Sequence, residues 1–228
     1  MDLKNIKYII LDMDGCCYHP KYLKTLFGQV SYRMTDFISL KLGINKNKAK
    51  EIQQKYFYKY DTSLNGLMKN YPKLIDPYEF LKYVHNINYD CLEKDIALRE
   101  ELLKLDVKTY CATNGTKEHA INCMERLGID DLFEDKIMDI VDFNFKPKPN
   151  PESLNLMCTK FQIPTNEETV YIEDIAKNLS SEAAKDMIKV WFTNNEPIND
   201  INKYKDLIQY KIDNLALFLK KIRLLKEA

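Results

Sequence analysis

The sequence predicts an α/β fold: a doubly wound parallel sheet with a helical insertion after its first strand. Three observations carry this. Tyr8-Ile9-Ile10-Leu11 is a short apolar run, as strands buried on both faces are, and it ends in Asp12-Met13-Asp14-Gly15. From about Lys21 to Asn88 the apolar residues recur mainly at helical spacing, among many tyrosines. From Lys94 onward, strand-like and helix-like segments alternate, which indicates parallel strands joined by right-handed crossovers.

The elements follow in order. Val30, Met34, Phe37, Ile38 and Leu42 form a helical stripe that stops at Gly43. Ala49 to Tyr60 is a second helix, and Tyr71-Pro72 and Asp76-Pro77 break the pattern after it. Lys94 to Leu105 reads as a helix and Val107 to Ala112 as a strand. Thr116 or Asn114 can cap a helix from Lys117 to Leu127, which Gly128 ends. Lys136 to Val141 reads as a short strand, and Pro151 opens a helix to Phe161. Thr169 to Ile172 is a strand, Lys177 to Ala184 a helix, and Ile188 to Phe192 a strand. Asn194 to Lys203 is a polar loop, and Leu207 to Ile212 a final strand. Asp213 caps a last helix with a stripe of Leu215, Leu217, Phe218 and Leu219.

Composition narrows the function classes. The 228 residues suffice for one large domain, or a core with a smaller one. Lys+Arg and Asp+Glu balance at 34 each, so no basic field draws nucleic acid or a membrane surface. No apolar segment is long enough to span a bilayer, and the N-terminal pattern is a strand, not a signal peptide. The six cysteines have neither zinc nor disulfide-framework spacing and read as reduced thiols of a cytoplasmic protein. Asn114-Gly115-Thr116 and Asn178-Leu179-Ser180 match glycosylation sequons by chance on this reading.

Four chemistry-bearing groups fall at predicted strand ends, the edge where open α/β sheets bind ligands. Asp12 and Asp14 follow the first strand, and Thr113 and Asn114 follow Val107–Ala112. Lys148 lies in Lys146-Pro147-Lys148-Pro149-Asn150-Pro151, and Glu173 and Asp174 follow Thr169–Ile172. Two carboxylates at one strand end repel each other and lose water, and a divalent cation is the usual compensation.

This set, in this order, resembles the haloacid dehalogenase (HAD) superfamily of phosphohydrolases over roughly residues 7 to 193. The resemblance implies a Rossmannoid core at 1–18 and 92–228 and a helical cap at 19–91. It implies Asp12 as nucleophile and Mg²⁺ ligand, and Asp14 as acid/base that lends its backbone carbonyl to the metal. Thr113 and Asn114 bind the phosphoryl oxygens, Lys148 supplies positive charge, and Asp174 completes the metal site. Glu173 and Asn178 stand behind it as supporting residues. Lys146 competes with Lys148 for the lysine role, and the motif spacing favours Lys148. Cys16 is a small buried residue, not a thiol nucleophile.

Several stretches resemble the fungal-type pyrimidine 5′-nucleotidases more closely. These are Asp12-Met13-Asp14-Gly15-Cys16-Cys17-Tyr18, Gln54 to Tyr60 with Leu64-Asn65-Gly66-Leu67, Ala112 to Ala120, Arg126 to Phe133, and Tyr171-Ile172-Glu173-Asp174 with Asn178. Gly15, Gly115 and Glu173 depart from that pattern, where Asn, Ala and Asp stand. The implied activity is dephosphorylation of a nucleoside monophosphate such as UMP or CMP, with Tyr56 and Tyr60 (and Tyr58 between them) stacking the base or lining its pocket. His119 reads as a capping or packing residue. The alternatives are a phosphatase for a sugar phosphate or phosphoglycolate, a phosphomutase, and an inactive phosphate-binding protein.

Overall fold

The computed structural model describes residues 2–193 and 201–228. Six strands, β1 (Tyr8–Leu11), β2 (Lys108–Ala112), β3 (Ile137–Met138), β4 (Thr169–Glu173), β5 (Ile188–Phe192) and β6 (Tyr210–Ile212), form one sheet. Their order is β3-β2-β1-β4-β5-β6, and every pairing is parallel. The chain runs outward from β1 through β2 to β3, then returns to β4 on the other side of β1. The sheet is doubly wound, with its switch point between β1 and β4. Leu11 pairs with both Cys111 and Ile172, so Asp12, Ala112 and Glu173 are the next residues in register.

Both sheet faces are covered, which is why the strands read as apolar runs. Ile9, Leu11, Val170 and Ile172 pack on one face against α5 (Ile96–Lys104), α6 (Lys117–Leu127) and α9 (Leu215–Glu227). Ile10, Tyr110 and Tyr171 pack on the other against α7 (Pro151–Phe161). All six cysteines are free. Among the described residues, no helix is long and apolar enough to cross a membrane.

Between β1 and β2 lie α1 (Leu23–Leu42), α2 (Lys46–Tyr60), α3 (Ser63–Asn70) and α4 (Pro77–Val84). They enclose a separate apolar cluster that includes Phe37, Ile38, Ala49, Tyr56, Leu67 and Phe80. Gly43 ends α1 at φ 63, and Asn45 caps α2 by accepting from Lys48 N. Asp76 caps α4, whose first residue is Pro77.

Three local expectations differ from the structure. Lys177 to Ala184 is not an α-helix but two 3₁₀ turns, Ala176–Ser180 and Glu182–Ala184, split by an extended Ser181. Polar side chains draw the backbone out of the helix there: Asn178 bonds Glu173, and Ser180 Oγ donates to the Lys177 carbonyl. Asn214, not Asp213, caps α9 by accepting from Leu217 N. Leu217 faces outward at 64% exposure, and Leu215, Phe218, Leu219 and Ile222, at helical spacing, are the buried stripe. Of the polar loop expected at Asn194 to Lys203, positions 194–200 lie outside the described residues, and Ile201–Tyr204 forms the short α8.

Gly66 on α3 has no room for a side chain. A Cβ there would sit well inside 3.0 Å of Tyr56 Cβ and Cγ, atoms too close to the backbone to swing away. Gly66→Ala is therefore expected to destabilise the protein by about 1–3 kcal/mol through overpacking. Thermal denaturation measures it.

Candidate active site

The end of β1 delivers Asp12 to the switch point, where its amide donates to the Ile172 carbonyl at 3.1 Å. Gly15 then turns the chain at φ 79. A Cβ on Gly15 would collide with the Asp174 carboxylate, so glycine is what lets the end of β4 close on this loop. Cys17 helps hold the loop: its amide donates to the Met13 carbonyl and its thiol to the Asp12 carbonyl at 3.3 Å.

Lys148 lies beneath, only 1% exposed. Its Nζ is 2.7 Å from Asp12 Oδ1 and 2.6 Å from Glu173 Oε1, and it also donates to the Ala112 carbonyl. Three donors therefore have three acceptors. Asn114 fixes the lysine's backbone: its Oδ1 accepts from Lys148 N at 2.8 Å and its Nδ2 donates to Lys148 O at 3.2 Å. Glu173 is held in turn by Tyr171 Oη at 3.0 Å and Asn178 Nδ2 at 3.1 Å. Burial pulls the Lys148 ammonium towards neutrality, but Asp12 and Glu173 outweigh it and raise its pKa, so it stays charged.

The carboxylates outnumber this one lysine. Burial, with Glu173 and Asp14 nearby, raises Asp12 against the opposing pull of Lys148. Burial and the charges of Asp12 and Glu173 push Asp174 well above the usual range. Ligand atoms of Asp12, Asp174 and Cys16 lie within 4.8 Å of one another. Burial and the surrounding carboxylates raise the Cys16 thiol, so it stays protonated and is a poor ligand. The remaining donors are hard oxygens, and their mutual repulsion is what a hard divalent cation relieves. The residues fit Mg²⁺.

Asp14 has different surroundings. Tyr18 Oη donates to its Oδ1 at 2.8 Å, and His119 Nε2 lies 3.0 and 3.2 Å from its two oxygens. Burial works to raise this carboxyl, but His119 and Tyr18 outweigh it and hold it below the usual range. His119 Nδ1 meets Tyr89 Oη at 3.0 Å, and the His85 ring stacks on it with centroids 4.6 Å apart. Burial, then the neighbouring His119, keep His85 down to about 3. Thr116, not Asn114, caps α6, accepting from His119 N. Capping thus positions a histidine that sequence reasoning assigned to capping or packing alone. Its link to Asp14 spans 105 residues, beyond any local pattern.

A cavity of about 450 Å³ opens above these residues. Asp12, Asp14, Thr113, Lys148 and Asp174 line its sheet side, and Phe27, Met34, Phe57, Leu64 and Phe80 its helical side. Asn114 and Asn178 also reach it. Thr113 Oγ1 accepts the Gly115 amide at 2.9 Å, leaving its own proton to donate. Lys146 is elsewhere, exposed and paired with Glu152.

Tyr56 and Tyr60 are not brought to the cavity. Tyr56 is 7% exposed, packed on Gly66, with its ring edge-on to Tyr60 at 5.6 Å. The face of α2 that lines the cavity carries Gln53, Gln54, Phe57 and Tyr58. Residues 56 and 60, four apart, share another face, and the apolar cluster of the four helices claims it.

The family model of the haloacid dehalogenase-like hydrolases matches residues 6–184. The chain belongs to this family. Phosphate metabolism protein 8 of Saccharomyces cerevisiae is 28% identical over 191 residues, 77% of this chain. The chain spans 58% of that relative's length. A HAD family hydrolase from Deinococcus radiodurans, solved with bound phosphate and sodium, superposes with TM-score 0.57 at 13% identity, covering 97% of each chain. The HAD-hydrolase-like YfnB of Bacillus subtilis, solved with magnesium, superposes with TM-score 0.58 at 15% identity, covering 98% of this chain and 99% of that one. These likenesses show the HAD fold.

In this HAD-family hydrolase Lys148 holds two buried carboxylates together. Lys148→Ala leaves Asp12 and Glu173 without their counter-charge and is expected to cost about 3–5 kcal/mol. Lys146→Ala, at an exposed pair, is expected to stay within about 0.5 kcal/mol. Urea denaturation compares the two.

Proposed function

We propose that the protein is a Mg²⁺-dependent phosphomonoesterase that works through an aspartyl-phosphate on Asp12 and prefers pyrimidine nucleoside monophosphates, UMP and CMP. One observation carries the reading. Two carboxylates two residues apart face one cavity in opposed environments: Asp12 against the Lys148 ammonium, Asp14 against His119 and Tyr18. Different surroundings assign different roles.

Asp12 attacks phosphorus, and the bond to the ester oxygen breaks. Asp14, in its protonated form, gives its proton to the leaving alkoxide and is left as the carboxylate to which Tyr18 and His119 are bonded. Asp14 then takes a proton from water, which attacks phosphorus and frees Asp12. Thr113 Oγ holds a phosphoryl oxygen, and the Lys148 ammonium, bonded to Asp12, supplies positive charge beside the nucleophile. Asn114 acts by fixing the Lys148 backbone. The carboxylates of Asp12 and Asp174 and the Asp14 carbonyl would hold Mg²⁺, which neutralises charge between nucleophile and phosphate when bound.

Support for the substrate class comes from the cavity and the relatives. Its helical side carries the rings of Phe27, Phe57 and Phe80, against which a flat base can pack, beside polar residues such as Gln54 and Thr62. The yeast relative is named for phosphate metabolism, and the bacterial structures hold phosphate and magnesium. Residues 19–91 act as a cap that closes over small substrates and excludes water.

Asp12→Asn is expected to keep the fold by circular dichroism and to lower turnover of p-nitrophenyl phosphate by more than about a thousandfold. Chelation by EDTA should abolish activity, and Mg²⁺ should restore it. Across a panel of phosphomonoesters, kcat/KM should be highest for UMP and CMP and lower for ribose 5-phosphate and phosphoglycolate. A flat response would leave a general phosphatase, and absence of turnover with any divalent metal would leave a phosphate-binding protein.

A further inference from the structure

The helical wall of the cavity mixes apolar residues with polar ones such as Lys24, Gln54, Asp61 and Thr62, and one polar cluster in it is buried. Ser31 and Thr35 on α1 meet Gln53 on α2, and Ser31 and Gln53 line the cavity. Gln53 is 8% exposed and Thr35 9%. Buried polar side chains are costly unless bonded, so each polar atom of this cluster needs a partner. Thr35 Oγ1 lies 2.5 Å from Gln53 Oε1, and Gln53 Nε2 lies 3.0 Å from Ser31 Oγ. The shorter distance suits O–H···O and the longer N–H···O, which sets the amide's orientation. Ser63 Oγ donates to the Gln53 carbonyl at 3.0 Å and ties the cluster to α3.

Counting protons leaves donors over. The one Thr35 hydroxyl proton is shared between Gln53 Oε1 and, at 3.2 Å, the Ser31 carbonyl. Ser31 Oγ accepts from Gln53. Its own proton has no acceptor among the described residues, although serines inside helices commonly donate to the preceding turn, as Thr35 does here. The second Gln53 N–H has only the Met34 sulfur at 3.6 Å, a weak acceptor. A hydroxyl donor, held by a buried amide, thus lies on the cavity wall next to the apolar Val30, Met34 and Phe27.

We propose that Ser31, oriented by Gln53 and Thr35, is the base-reading group: its hydroxyl donates to the ring carbonyl oxygen that uracil and cytosine share. This rests on the nucleotidase reading above and deepens it. Phe27, Met34 and Phe57 take the faces of the ring, and the Ser31 donor, fixed by its buried partners, tells a carbonyl-bearing ring from a leaving group without one. Gln53 and Thr35 are positioning residues for Ser31.

The test compares kcat/KM on UMP and on ribose 5-phosphate, which keeps the phosphate and the ribose but lacks the base. Wild type should favour UMP. Ser31→Ala should lose about five- to tenfold on UMP, mainly through KM, the size of one neutral hydrogen bond. Its loss on ribose 5-phosphate should be several-fold smaller. Ser31→Thr retains the hydroxyl and should retain the preference, which separates the donor from cap damage. Equal losses on both substrates, or no loss on UMP, would overturn the role of Ser31 while leaving the nucleotidase reading intact. A wild type with no preference for UMP would overturn both.

Discussion

The ammonium of Lys148, buried between Asp12 and Glu173, is the interaction on which the site depends. Each partner comes from a different segment, and each is useless to the others unless the sheet closes in its observed order. β1 supplies Asp12, β4 supplies Glu173, and the loop before α7 supplies the lysine, whose third bond goes to the end of β2. Register makes this possible, because Leu11 pairs with both Cys111 and Ile172 and places the next residues side by side. Buried charge is a poor source of net stability, since desolvation offsets most of the attraction. Its presence here marks a position where chemistry, not folding, sets the requirement.

The same charges explain how two similar carboxylates part company. Asp12 faces a fixed cation and a third carboxylate, Asp174, with room for a divalent metal between them. Asp14 is only two residues away but turns to Tyr18 and His119. His119 in turn rests on His85, at the end of α4, and on Tyr89, on the chain returning from the helical insertion. Asp14 is therefore connected to the insertion through His119 and the two rings that rest on it.

Much of this is legible in the sequence because parallel strands buried on both faces read as apolar runs. The residues just beyond the end of each run fall on one edge of the sheet, so Asp12, Thr113 and Asp174 can be grouped without coordinates, while Lys148, in the loop before α7, joins them only through the family resemblance of its motif. Periodicity is weaker where several faces compete. Tyr56 and Tyr60 share a helical face with the residues that pack the insertion, and only the position of α3 with Gly66 shows that Phe57 and Tyr58 face the cavity. The segment after Asp174 has helical composition, but Asn178 is drawn to Glu173 and the turns tighten to 3₁₀. The bond between His119 and Asp14 joins residues with no local relation, so no spacing announces it.

The central claim is that Asp12 carries the phosphoryl group. On the proposed mechanism Asp14→Asn should slow release of that group, and p-nitrophenyl phosphate, with its good leaving group, needs no acid to leave. Mixing this variant with that substrate and Mg²⁺, quenching in acid and mapping the peptides by mass spectrometry tests the claim directly. The account predicts one phosphoryl group on the peptide containing Asp12, assigned to that residue by fragmentation and removed by hydroxylamine. A phosphoryl group on Cys16 or His119, or nitrophenol release with no phosphorylated protein at any quench time, would contradict it.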